Sequence, residues 1–132
     1  MQTDQITLTG KLSPDLFNTV AQAAAEAVGQ DQRSNRAKNV NKPSQLRKFY
    51  DELCMWETRV SQQPERFDDL LPFIRMMNAK AVYAQGRRHV DDDFVKLLSH
   101  CLGQVTSPET LRTCKTFMEA FMGFYKVYGP KD

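Results

Sequence analysis

Residues 107 to 128 constrain this fold more than any other stretch. Ser107, Pro108 and Glu109 form a helix start: a hydroxyl to cap free amides, a fixed φ, and an acid for the dipole. Leu111, Cys114, Phe117, Met118, Phe121, Phe124, Tyr125 and Tyr128 then crowd one side of a helical wheel. Arg112, Lys115, Glu119 and Lys126 share the other side, and Gly129-Pro130 ends the run. So wide an apolar side has to be covered by neighbouring helices.

The rest of the chain supplies them. Ser13, Pro14 and Asp15 predict the first helix, with Leu12 and Phe17 as a hydrophobic staple and Gly29 as the stop. Its apolar face reads Leu16, Phe17, Val20, Ala23, Ala24 and Ala27. Pro43 opens a second helix running to about Gln62, where Gln-Gln-Pro breaks the chain. A third starts near Asp68 or Asp69, tolerates Pro72 near its beginning, and stops at Gly86. Phe73, Ile74, Met76, Met77, Ala81, Tyr83 and Ala84 make it apolar over much of its circumference, which predicts a central position. Asp91 to Asp93 open a fourth helix whose core face is Phe94, Leu97, Leu98, Cys101 and Leu102. The expectation is an all-α fold: one domain over residues 1–132, a compact bundle of about five helices. Residues 1–11 are polar enough to fray. Residues 30–42 hold only Ala37 and Val40 as apolar anchors and predict a mobile basic loop.

The net charge is only +2, but it is unevenly placed. Arg33, Arg36, Lys38, Lys42, Arg47 and Lys48 lie between residues 30 and 48 against one acid, Asp31. Arg75, Lys80, Arg87 and Arg88 lie between residues 70 and 90 with no acid at all. Such local bias favours an anionic partner. The second helix sharpens the point. Leu46, Phe49, Tyr50, Leu53, Trp56 and Val60 form its buried face, which leaves Arg47 and Lys48 on the outer side of its first turns. Cations there oppose the macrodipole unless an anion is bound, and the first amides of a helix are free donors. A phosphate site at this helix start is the resulting expectation.

Other classes fall away. No apolar run approaches a membrane span, and no secretory leader is visible, so a cytoplasmic protein without membrane contact is expected. Cys54, Cys101 and Cys114 have no ligand-spaced partner, so neither a metal nor any other cofactor is expected. His89 and His100 belong to no nucleophile pattern, and no phosphate-binding Gly-rich loop is present, so no enzyme is expected.

Gln45-Leu46-Arg47-Lys48-Phe49-Tyr50-Asp51-Glu52 resembles the signature of the small subunit of type III-A CRISPR effector complexes. Lys80-Ala81-Val82-Tyr83-Ala84 with Gly86-Arg87 resembles that family's Tyr-x-x-Gly-Arg element. Phe117-Met118-Glu119-Ala120-Phe121 gives a third, weaker match, and the order holds over residues 40 to 128. The resemblance implies a non-catalytic helical subunit whose copies stack as an inner filament of the ribonucleoprotein. Its partners would be guide RNA, target RNA, the backbone and large subunits, and copies of itself. By motif position Arg47, Lys48, Lys80 and Arg87 would touch RNA; the full candidate set adds Arg33, Arg36, Lys38, Lys42, Arg75 and Arg88.

Plainer readings stand beside these. Arg47 could pair with Asp51 and Lys48 with Glu52 at i, i+4. Arg87 and Arg88 could complement a helix C-terminus. Lys80 could snorkel from a packed helix or face a cleft. The rival to RNA binding is a helical adaptor whose basic face meets an acidic protein.

Overall fold

A computed structural model describes residues 1–132. The helices are α1 (Ala21–Gly29), α2 (Pro43–Gln62), α3 (Phe67–Arg75), α4 (Met77–Gly86), α5 (Asp92–Gly103) and α6 (Pro108–Tyr128). There is no strand. α3 and α4 are one helix bent at Met76, which keeps right-handed helical angles, so the expected bundle of about five helices is what forms.

α6 is its axis. Ser107 and Thr110 close a reciprocal capping box, Pro108 takes the first turn, and Leu111, Cys114, Phe117, Met118, Phe121 and Tyr125 are buried. α1 and α2 pack along α6, and α5 packs on α4. Gly29 marks a close approach of α1 to α6. A Cβ there would lie 2.6 Å from the Tyr128 carbonyl oxygen, so the end of α1 can meet the end of α6 only without a side chain.

Three expectations are corrected. The bent third helix is not central. It buries Leu70, Ile74, Met77 and Ala81, but leaves Phe73, Met76, Val82 and Tyr83 exposed. One face at helical spacing was enough for the core, and the additional apolar residues lie outside it. Residues 1–11 are not frayed. Ile6 and Leu8 are buried; the Ile6 carbonyl accepts from His100 and Gln104, and the Leu8 amide donates to Gln104 Oε1 at 2.8 Å. The first helix does not run regularly from Ser13. Leu16–Val20 form a wide π-helical turn distorted at Asn18, and Ser13 caps only Asp15. Past that distortion the buried face is Ala21, Ala24, Ala25 and Val28, and Phe17, half of the expected staple, is exposed.

Candidate nucleic-acid interface

Asn41 organises the end of the bundle that carries most of the candidate cations. It is completely buried and left-handed, with φ 61°. Asparagine tolerates that conformation better than most residues. Its amide donates to the Val28 carbonyl at 3.0 Å and to Asp91 Oδ1 at 2.8 Å. Its Oδ1 accepts from the Asp91 backbone at 2.9 Å, and its backbone N–H donates to the His89 carbonyl. The Tyr125 hydroxyl donates to the Asn41 carbonyl at 2.6 Å. Burial pushes the Tyr125 phenol well above its ordinary value. The ends of α1, α4 and α6 and the starts of α2 and α5 are thereby tied at one place.

Two salt links reinforce the junction. Lys38 Nζ lies 2.8 Å from Asp91 and 2.7 Å from Asp93. Burial alone would lower the Lys38 ammonium, but its bonds to the two carboxylates outweigh it and leave it raised. Burial alone would raise Asp93, but its bonds to Lys38 and the Met1 ammonium leave it lowered. Asp91 is also the cap of α5, accepting from the Phe94 amide.

The candidate cations therefore divide. Lys38 is consumed by the junction. Lys42 Nζ donates to the Lys131 carbonyl at 3.0 Å. Arg75 donates to the Val105 carbonyl, at the α5–α6 link. It stands roughly 18 Å along the helix from Arg87, at about 1.5 Å per residue. Lys80 is paired with Glu52 at 2.9 Å. Glu52 also accepts from Trp56, so the alternative Lys48–Glu52 pair does not form. Arg33, Arg36, Arg47, Lys48, Arg87 and Arg88 keep exposed side chains. Arg47 reaches Asp51 only at 3.9 Å with both side chains well exposed, and Lys48 lies 3.4 Å from Gln45. Arg87 sits 5.9 Å over the Tyr83 ring.

The loop holding Arg33 and Arg36 is built on a local turn. Asp31 accepts from the amides of Arg33 and Ser34, and bonds from Ser34 and then Arg33 lower its carboxyl. Gln30 bridges to Ala37, and Lys38 donates its amide to Gly29, so both loop ends are fixed to α1. Arg88 occupies the left-handed position that ends α4, φ 63°. His89 N–H donates to the Ala84 carbonyl and Arg88 N–H to Gln85, the Schellman pattern. The helix stops at Gly86 as expected, but the left-handed position of its cap falls on Arg88, which bears a cost for being there.

At the start of α2 an anion is in place, and it is the chain's own. The Ser44 amide donates to the Asp132 carboxylate at 3.0 Å, and so does Ser44 Oγ. Sequence reasoning missed Asn41 and Asp132, and placed Tyr125 on the apolar side of α6 without its bond to Asn41. An asparagine two residues before Pro43, in a loop with few apolar anchors, was the one available signal for the first.

The fold is a helical bundle in which Arg33, Arg36, Arg47, Lys48, Arg87 and Arg88 extend from segments at the Asn41 junction, and no trio of His, Cys, Asp or Glu is placed to hold a metal ion. The family model described as Csm2 Type III-A matches residues 16–131. The chain belongs to that family, the small subunit of the type III-A CRISPR effector complex. It is 27% identical over 112 residues to the "CRISPR system Cms protein Csm2" of Streptococcus thermophilus, covering 83% of this chain and 90% of that protein. No solved structure matches. No helix is long and apolar enough to cross a membrane.

Proposed function

We propose that the chain is a non-catalytic, RNA-binding subunit of its cytoplasmic ribonucleoprotein. Copies stack as an inner filament and hold the guide RNA–target RNA duplex by its backbone, beside the backbone and large subunits. Guide pairing supplies sequence specificity; this subunit supplies charge and spacing. The observation that carries the reading is that Arg47 and Lys48 project into solvent from the first turns of α2, Arg47 held only by a long, exposed pair with Asp51 and Lys48 by the neutral Gln45. Arg33, Arg36 and Arg88 belong to segments tied to the same junction. Lys38, Lys42, Arg75 and Lys80 contribute less, because protein atoms already hold their charges. A single copy binds weakly; repetition along one RNA raises the effective concentration of each further copy.

One observation favours the rival adaptor: the start of α2 already accepts a carboxylate, that of Asp132. The two readings separate in the assembled complex. Reversing Arg47 and Lys48 to Glu is expected to abolish retained nucleic acid, read from the 260/280 nm absorbance ratio, at unchanged helix content. Loss of a protein subunit with RNA retained would favour the adaptor.

A further inference from the structure

Of the aromatic side chains, Tyr83 and Phe73 are the most exposed, at 67% and 54%. Both lie on one stripe. Phe73, Met76, Lys80, Tyr83 and Arg87 follow one another along α3 and α4 at the i, i+3 and i+4 spacing of one helical face. The amide of Met76 donates to Pro72 and that of Lys80 to Met76, so helical register carries across the bend. The stripe lies beside the core-facing Ile74, Met77 and Ala81, not among them. Phe73 stacks on Trp56, with the centroids 6.5 Å apart and the planes 25° from parallel. The Arg59 guanidinium lies 5.7 Å from the same indole, and the indole is buried. Glu52 fixes it by accepting from Trp56 Nε1 at 3.0 Å, and also takes Lys80 Nζ at 2.9 Å. Phe73 is therefore the solvent-facing member of a stack of planar groups. Tyr83 has its own cation, the Arg87 guanidinium 5.9 Å from the ring.

Bare rings beside cations match what a single nucleic-acid strand presents: planar bases on an anionic backbone. Unpaired bases stack on aromatic and guanidinium planes, whereas a base inside a duplex already has neighbours on both faces. We propose that Phe73 and Tyr83 are stacking platforms for unpaired nucleobases of the RNA, with Arg87 and Arg88 taking the phosphates beside Tyr83. This rests on the RNA reading above and adds bases to its backbone contacts. Charge selects the occupant. Residues 70 to 90 contain Arg75, Lys80, Arg87 and Arg88 and no acid, and the side chains of Arg87 and Arg88 are exposed. Glu52, the acid that α2 brings to the stripe, is engaged by Lys80 and Trp56. Lys80 is thus a positioning residue for the stack, not a phosphate ligand.

The spacing sets what the strand must do. Tyr83 follows Phe73 by roughly 15 Å of helix, at about 1.5 Å per residue. A stacked strand advances only about 3.4 Å per nucleotide. The two platforms therefore do not sandwich neighbouring stacked bases; each takes a base of its own from an extended strand. Every base has a π-face, so the platforms add affinity without choosing a sequence, in keeping with guide pairing as the source of specificity. A ring neutralises no phosphate, so its loss lowers affinity and leaves the salt dependence as it was.

A single-stranded oligouridylate carrying one 2-aminopurine base tests this with the full chain. Binding is expected to quench the 2-aminopurine emission, because the base stacks. Phe73→Leu and Tyr83→Leu keep apolar bulk but lose the flat face. Each is expected to weaken binding of the single strand about tenfold and to reduce the quenching, at an unchanged log–log salt slope. Tyr83→Phe is expected to behave as the wild type, and all three variants to bind a fully paired RNA duplex as the wild type does. Circular dichroism shows that each keeps its helices. Leucine variants that bind and quench like the wild type would overturn the proposal and leave the RNA reading, which rests on Arg47 and Lys48, in place. Leucine variants that lose a protein subunit from the assembled complex, at unchanged single-strand binding, would assign the stripe to a protein and also overturn it. A chain that binds neither single strand nor duplex would overturn both readings.

Discussion

The loop ahead of α2 and the first turns of α2 are similarly basic, yet their lysines do opposite things. Lys38 sits between two carboxylates with 13% of its side chain exposed, while Lys48 projects beyond hydrogen-bond reach of any acid. Both are lysines in one cationic run; the difference is what the fold places opposite them. Asn41 brings the acidic start of α5 against the end of the loop, so Lys38 holds the bundle together while Arg47 and Lys48, further along, stay exposed. Charge density along a sequence thus locates a cationic region, but it does not say which of its charges the fold holds.

Stability measurements should expose that difference first. Asn41→Ala removes three side-chain hydrogen bonds at a buried, left-handed position, and about 3 kcal/mol or more should be lost in urea unfolding. Asn41→Gly should recover about 1 kcal/mol of that, because glycine accepts the backbone angle. A loss below about 1 kcal/mol in the alanine variant would remove Asn41 from the centre of the account.

Lys38→Met comes next, at about 1–2 kcal/mol. The figure is below that of a fully buried pair because Asp91 and Asp93 keep 29% and 25% exposure. Its pH dependence has a definite sign. The Lys38 value is raised, so its contribution is complete below the ordinary 10.5 and fades as pH climbs through the raised one. The Asp93 value is lowered, so its contribution is complete above the ordinary 3.8 and is lost as pH falls through the lowered one. In Lys38→Met the folded Asp93 value returns toward the ordinary 3.8, so the acid limb of the stability profile should become shallower. An acid limb as steep as in the wild type would show that the link contributes nothing to folding.

Arg88→Gly sharpens the comparison from the other side. Relieving the left-handed arginine should stabilise the chain by about 1 kcal/mol. The same change removes an exposed cation and should weaken RNA binding. A variant that gains stability at no cost in RNA affinity would take Arg88 off the interface. The smallest stability effect belongs to the pair Arg47→Ala and Lys48→Ala, each expected within about 0.5 kcal/mol of wild type.

Much of the fold was legible because helix starts and wheels are local. Ser107-Pro108-Glu109, Asp91 and Pro43 all mark starts that form, and the α6 wheel buries the side it predicts. What was not legible depends on distant partners. Nothing near Ile6 announces that Gln104 and His100 will take its carbonyl, and nothing near Lys38 announces the acids 53 and 55 residues away. The bent α3–α4 helix misled by excess: Leu70, Ile74, Met77 and Ala81 already completed a face, so Phe73, Met76 and Tyr83 had no place in the core. Of the candidate site, the cationic run along the chain could be read; which of its charges protein atoms hold, and that Asp132 occupies the start of α2, could not.

The salt dependence of RNA binding tests the division between held and exposed cations most directly. For the full chain with labelled single-stranded RNA, about four neutralised phosphates give a log–log slope near −3, at roughly −0.7 per phosphate. Replacing Arg47 and Lys48 by Ala should make the slope shallower by about 1.4, whereas Lys38→Met should leave it unchanged. A wild-type slope near zero, or a Lys38 variant that flattens it as much as the Arg47 and Lys48 pair does, would contradict the account.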